Sequence, residues 1–198
     1  QISQIREVGA TEQLTSTLEA VLLGQNITSA TSLIGAEVVG MTDDGQHVRG
    51  SVQRVAVNGG APQLDLAVET SARAAEVGGD VADGAYVYEV VWSTEDGTKF
   101  SVPIETDTAD LDEFGGAIEL SNLPETSVPK QVYRTDRTGS GELKLVGTIA
   151  SGKDTTFVDR VADADRLDQS LTGDRNVFKF ASVATIDLSS VAQIEPPQ

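Results

Sequence analysis

The chain has 198 residues, 39% of them hydrophobic, with 19 Gly and 6 Pro, which is enough length and apolar content for one large or two small domains. Its 31 acidic against 14 basic residues leave a formal charge of -17, which sets the chain against nucleic acid phosphates and anionic membrane surfaces. Cysteine is absent, which excludes disulfides and cysteine-ligated zinc, and no apolar run is long enough for a membrane span.

Val, Thr and Ile recur among Asp, Asn and Gly breaks, so a mainly β fold is expected. The first residue is Gln, not Met, and an N-terminal portion is therefore expected to be missing. A cysteine-free body held by packing alone suits a subunit exported unfolded through a narrow channel.

Residues 1–30 read as a helical arm. Leu14, Leu18 and Val21 fall at spacings of four and three, Leu22 lies beside them, and Gln25 and Thr28 continue the stripe in polar form. Ile2, Ile5 and Val8 form an earlier stripe, and Thr11 or Thr15 is the expected start signal. A small β domain needs no arm of this length for its own core. Leu14, Leu18, Val21 and Leu22 are therefore expected to face a partner, with Leu33 and Ile34 anchoring the arm to the body.

Residues 32–68 read as a meander. Apolar runs at 33–39, 47–52 and 54–57 are broken by Asp43-Asp44-Gly45, and Asn58-Gly59-Gly60 then leads into a strand at 63–68. Asp-Gly and Asn-Gly tolerate the positive φ of tight hairpins. Four short strands do not close a barrel, so a later segment must complete it.

From residue 70 the pattern changes. Asp83 to Ser93 alternates cleanly, with Tyr86, Tyr88, Val90 and Trp92 on one face. The Glu95-Asp96-Gly97-Thr98 turn leads into Phe100 to Ile104, and further apolar runs follow at 117–120, 130–135, 143–149 and 155–159. Tyr86, Tyr88, Trp92, Phe100 and Tyr133 are expected to form a sandwich core, not a sugar platform. The motifs Leu123-Pro124, Val132-Tyr133-Arg134-Thr135, Leu145-Val146-Gly147-Thr148-Ile149 and Thr155-Thr156-Phe157-Val158-Asp159 resemble a fibronectin type III module across 70–173. Residues 163–175 read as a polar linker. Strands are expected at 177–181 and 183–188, and 196–198 as a tail.

Signs of chemistry are sparse. His47 is the single histidine and sits beside a turn, with no Gly-x-Ser-x-Gly elbow and no phosphate-binding glycine loop in the chain. Asp159, Asp163, Asp165 and Asp168 offer oxygens for calcium, but they lack the Gly and closing Glu of an EF-hand and read as solvated linker. No catalytic residue, metal ligand or cofactor is expected.

Ala30-Thr31-Ser32-Leu33-Ile34-Gly35, the Asp-Asp-Gly hairpin and Gly50-Ser51-Val52-Gln53-Arg54-Val55 together resemble the flagellar hook-capping (hook-scaffolding) family, with Ala36 in place of a common Lys. The segment from Val183 through Leu188-Ser189-Ser190-Val191 to Ile194 is similar to the one that ends that family's barrel. The resemblance implies a mainly β protein: an arm (1–30), a small tudor-like barrel split in sequence (31–69 plus 174–195), and an inserted fibronectin III/Ig-like sandwich (70–173). It implies a scaffold that oligomerises as a ring of about five subunits at the extracellular tip of the growing hook. Export would run through the flagellar type III apparatus, with hook protein as partner and no catalysis. The alternative is a phage tail or cell-surface module whose fibronectin-like domain meets a protein receptor or glycan.

Overall fold

The computed structural model describes residues 2–43, 45, 47–108 and 116–195. In chain order these form α1 (Ile2–Thr31), β1 (Glu37–Met41), β2 (His47–Asn58), β3 (Ala61–Glu69), β4 (Ser71–Ala75), β5 (Gly84–Ser93), β6 (Lys99–Thr108), β7 (Ala117–Ser121), β8 (Lys130–Arg134), β9 (Lys144–Ile149), β10 (Phe157–Asp159), β11 (Asn176–Val177), β12 (Ala181–Asp187) and β13 (Val191–Glu195). The protein is mainly β with one N-terminal helix. It divides into two compact units, one of residues up to Val68 and from Val183 onward, the other running from Glu69 to Ser182.

In the first unit α1 runs uninterrupted from Ile2, past Thr11 and Thr15, where the sequence suggests a start. No Pro breaks it, and Thr17, Thr28 and Thr31 donate their hydroxyls to carbonyls four residues back, at 2.8, 2.9 and 2.7 Å. Those hydroxyls would otherwise compete for the backbone in non-helical conformations. The helix stops at Thr31. Leu33 and Ile34 tighten to bonds three residues back, and Gly35 takes φ 86°, which a β-carbon would strain.

Five strands follow in the order β12-β3-β2-β1-β13. Gly59 and Gly60, at φ 57° and 84°, join β2 to β3 as a two-residue hairpin turn whose twist matches its strands. At the β1–β2 turn Gly45 takes φ 83° and donates to the Thr42 carbonyl, while Asp44 lies outside the described residues. β2 is one long strand, not the two expected, with a bulge between Val52 and Arg54 that lets it bend while staying paired. Ala30, Val38, Val52, Leu64, Leu66 and Ile186 form the core, with Leu33, Val48, Val55, Val68, Leu188 and Val191 packed around it. Each fully buried Val, Leu or Ile contributes about 1.5–3 kcal/mol.

The second unit has two sheets, β10-β7-β4 and β11-β6-β5-β8-β9. Tyr86, Tyr88, Val90, Val102, Ile104 and Val132 from the larger sheet meet Ile118 and Leu120 from the smaller one. Val91, Tyr133 and Leu145 form a second cluster with Leu143 and Leu171. The buried Lys130 donates to the carbonyls of Pro124, Gly152 and Asp154 at 2.8, 2.9 and 2.6 Å, tying the turns on either side of the sheet end.

Two expectations are corrected here. Residues 163–175 are not a free linker: the Leu167 and Leu171 amides bond to the Leu145 and Leu143 carbonyls, covering the edge of β9. Nor does the split unit resume at residue 174. β11 pairs in parallel with Phe100 and Ser101 of β6, and Phe178 packs against Trp92 and Phe100, so this stretch belongs to the second unit.

Candidate functional site

Three places hold the side chains from which a function could be built: the exposed face of α1, a buried polar cluster in the second unit, and a half-exposed aromatic group on that unit.

Leu14, Leu18, Val21 and Leu22 are 65, 62, 52 and 57% exposed. Four large apolar side chains on one helix all remain in solvent, which costs hydrophobic free energy until a second surface covers them. Over residues 13–31 the helix carries one charge, Glu19, in a chain of net charge -17. The attachment lies at the C-terminal turn. Ala30 is fully buried in the strand core, α1 touches β2, and Leu33 packs against the same core. Ile34, expected to share that anchor, is 50% exposed instead. The positive φ at Gly35 turns the chain so that Leu33 alone points inward, and Ala30 takes the second place. Sequence reasoning passed over Ala30 because a lone Ala carries little apolar signal, although it stands three residues before Leu33 on the helical repeat.

The buried cluster centres on Arg134, which is fully buried. Its Nη1 donates to Asp159 Oδ2 at 2.5 Å, and its Nη2 donates to Asp163 Oδ1 at 2.8 Å and to the Val161 carbonyl at 2.9 Å. Tyr88 donates its hydroxyl to Asp159 Oδ2 at 2.8 Å, and the Val161 amide donates to Oδ1 at 2.9 Å. The guanidinium lies 4.9 Å from the Tyr86 ring centre. Burial, aided by the nearby Asp163 charge, pushes the Tyr86 phenol up to about 12, and burial pushes Tyr88 up as well. Asp159 is fully enclosed, so no reactant reaches it. The cluster is a polar staple, in which each partner compensates the desolvation of another. Two of the four aspartates weighed as calcium ligands are thus committed to Arg134, while Asp168 pairs with Lys144 at 3.4 Å. Among the described residues no group of three or more His, Asp or Glu side chains is placed to hold a metal ion. His47 is exposed at the start of β2.

Tyr86, Tyr88 and Tyr133 lie in the interior. Trp92 and Phe100 stack at 6.0 Å, with Phe178 set edge-on to both and 38% exposed. On the first unit Asp65 accepts from Thr185 at 2.7 Å and from Arg54 at 2.7 Å. The Thr185 hydroxyl, then Arg54, holds the Asp65 carboxyl below its usual range. No described helix is long and apolar enough to cross a membrane.

Of these places, only the α1 stripe joins several large apolar side chains to open solvent on one element. Comparison with known protein families, with characterised proteins and with solved structures gives no match.

Proposed function

We propose that this chain is a structural assembly protein of the flagellar hook-capping kind, which oligomerises through α1 and guides hook subunits at the tip of the growing hook. The observation that carries the reading is the stripe of Leu14, Leu18, Val21 and Leu22, more than half exposed on a helix held to a rigid β unit by its last turn. A second copy or a hook subunit covering that stripe removes it from water. On this reading the subunits form a ring, of about five by the resemblance. They leave the cell through the flagellar type III apparatus and carry no catalysis.

The strand orders support the finer fold reading. A β1-β2-β3 meander flanked by β12 beside β3 and by β13, which follows β12 after a single 3-10 turn (Leu188–Ser190) and pairs with β1, suits a small tudor-like barrel. In the second unit a three-stranded sheet, β10-β7-β4, and a five-stranded one, β11-β6-β5-β8-β9, share one core, which is compatible with a fibronectin III/Ig-like sandwich. The test is direct. Gold-labelled chain added to isolated flagellar hooks, viewed by electron microscopy, decorates one end on this account. Absence of end decoration, or labelling along the whole hook, overturns it.

The Trp92, Phe100 and Phe178 group favours a second reading, a phage tail or cell-surface module that meets a receptor or glycan through the sandwich. Glycan binding abolished by Phe178→Ala supports that reading over the first.

A further inference from the structure

β6 is paired along its whole length with β5 on one side, from Ser93↔Lys99 to Gly84↔Thr108. On the other side the ladder among the described residues is the parallel one with β11, at Phe100 and Ser101. Phe178 donates its amide to the Ser101 carbonyl at 3.1 Å, so Ser101 points its backbone groups outward. By the two-residue alternation of a strand, Pro103 and Glu105 point the same way. Val87, opposite Glu105, confirms the phase, because its N–H donates to the Thr135 hydroxyl and its C=O accepts the Thr135 amide, just past the end of β8.

Pro103 is where the ladder fails. A chain running on from β11 would next need an N–H there, and proline has none. The following residues turn away instead: Phe180 packs against the sandwich core and its carbonyl accepts the Thr70 amide at 3.3 Å. The divergence leaves a groove of about 310 Å³ beside Pro103, with Glu69, Glu105, Lys179 and Phe180 among its lining. No hydrogen bond among the described residues reaches the outward Pro103 carbonyl or the outward backbone of Glu105. Among the described residues the edge therefore offers two acceptors and one donor at strand spacing beside an opening, which ends where the Thr106 hydroxyl donates to the Ala72 carbonyl of β4 at 3.3 Å.

We propose that this groove is a strand-addition site for an extended peptide segment of another protein that carries a basic side chain. The segment lies along β6, donates to the Pro103 carbonyl and exchanges bonds with Glu105. Glu69 and Glu105 outnumber Lys179 at the groove, so a Lys or Arg side chain is favoured. The inference is independent of the role given to α1.

The test is a backbone NMR titration of the whole 198-residue chain with the probe acetyl-Thr-Val-Lys-Val-Thr-amide. Saturable shifts confined to Ile104, Glu105, Lys179, Phe180 and their neighbours are expected. The N-methylated probe should lose binding, and a probe with Glu for Lys should bind at least about fivefold more weakly. The exposed Glu105→Gln substitution should weaken the Lys probe about two- to fivefold while leaving the rest of the spectrum in place. No saturable shift at millimolar probe, or equal shifts from the N-methylated probe, overturns the proposal and leaves Pro103 as a device that blunts the sheet edge.

Discussion

The Arg134 staple makes the sharpest energetic prediction. Asp159→Ala removes the carboxylate that accepts from Arg134, Tyr88 and Val161, leaving the guanidinium with Asp163 and one carbonyl in a site without solvent. Breaking a buried pair by removing one partner costs about 3–5 kcal/mol, and the orphaned Tyr88 hydroxyl places this case in the upper half of that range. For a unit of this size about 4 kcal/mol lowers the melting temperature by roughly 15 °C. The paired substitution Arg134→Met with Asp159→Leu removes both charges and keeps most of the volume, and should recover about 2 kcal/mol or more of that loss. Trp92 is the only tryptophan and lies in the same unit, so urea unfolding followed by its fluorescence reports on this unit alone. If Asp159→Ala costs less than about 1 kcal/mol, or if the two single losses simply add in the double variant, Arg134 and Asp159 are not the coupled staple described here.

Three further outcomes follow from the same geometry. The carboxyl of Asp65 is held low by Thr185 and Arg54, so its contribution is present above the ordinary aspartate pKa and lost as pH falls from there through the folded value. Hydrogen exchange at Leu64 and Leu66 should accelerate across that acid window, and Asp65→Asn should flatten the dependence. A β-carbon at Gly40 would stand 2.5 Å from Ile186 Cδ1 and 3.1 Å from the Ser190 carbonyl. Gly40→Val should therefore destabilise the first unit by about 1–3 kcal/mol in hydrogen exchange. Many of the basic side chains are already engaged, as with Arg49, Arg54, Arg73, Arg134 and Arg175, leaving an acidic surface whose self-repulsion salt screens. The melting temperature should rise between low salt and 1 M NaCl, and a fall would show that the surface ion pairs outweigh the repulsion.

The parts of the fold legible in the sequence are those with local causes. The Gly59-Gly60 hairpin, the Tyr86 to Trp92 alternation and the helical repeat of Leu14, Leu18 and Val21 each follow from chemistry within a few residues. The parts that were not legible depend on distant partners. β4 is Ser-Ala-Arg-Ala-Ala, with no β-branched residue, and becomes a strand because β7 supplies its ladder. Residues 163–175 look like solvated linker, yet Asp163 reaches Arg134 and Leu171 packs by Leu145. Arg134 itself, in Val-Tyr-Arg-Thr, carries no local signal of burial, and the fold encloses it with Asp159. At the α1 stripe the spacing was legible, whereas the choice of Ala30 over Ile34 as anchor depended on the turn at Gly35.

The central claim is that the exposed face of α1 is an association surface. The most direct test is light scattering on a sizing column over a range of concentrations, comparing the intact chain with Leu14→Asp/Leu18→Asp. Both side chains are more than half exposed, so the substitutions leave the β units folded, and far-ultraviolet circular dichroism and Trp92 fluorescence check this. The account predicts a discrete oligomer for the intact chain and a monomer for the variant. An intact chain that stays monomeric at every concentration, or a folded variant that assembles just as well, contradicts it.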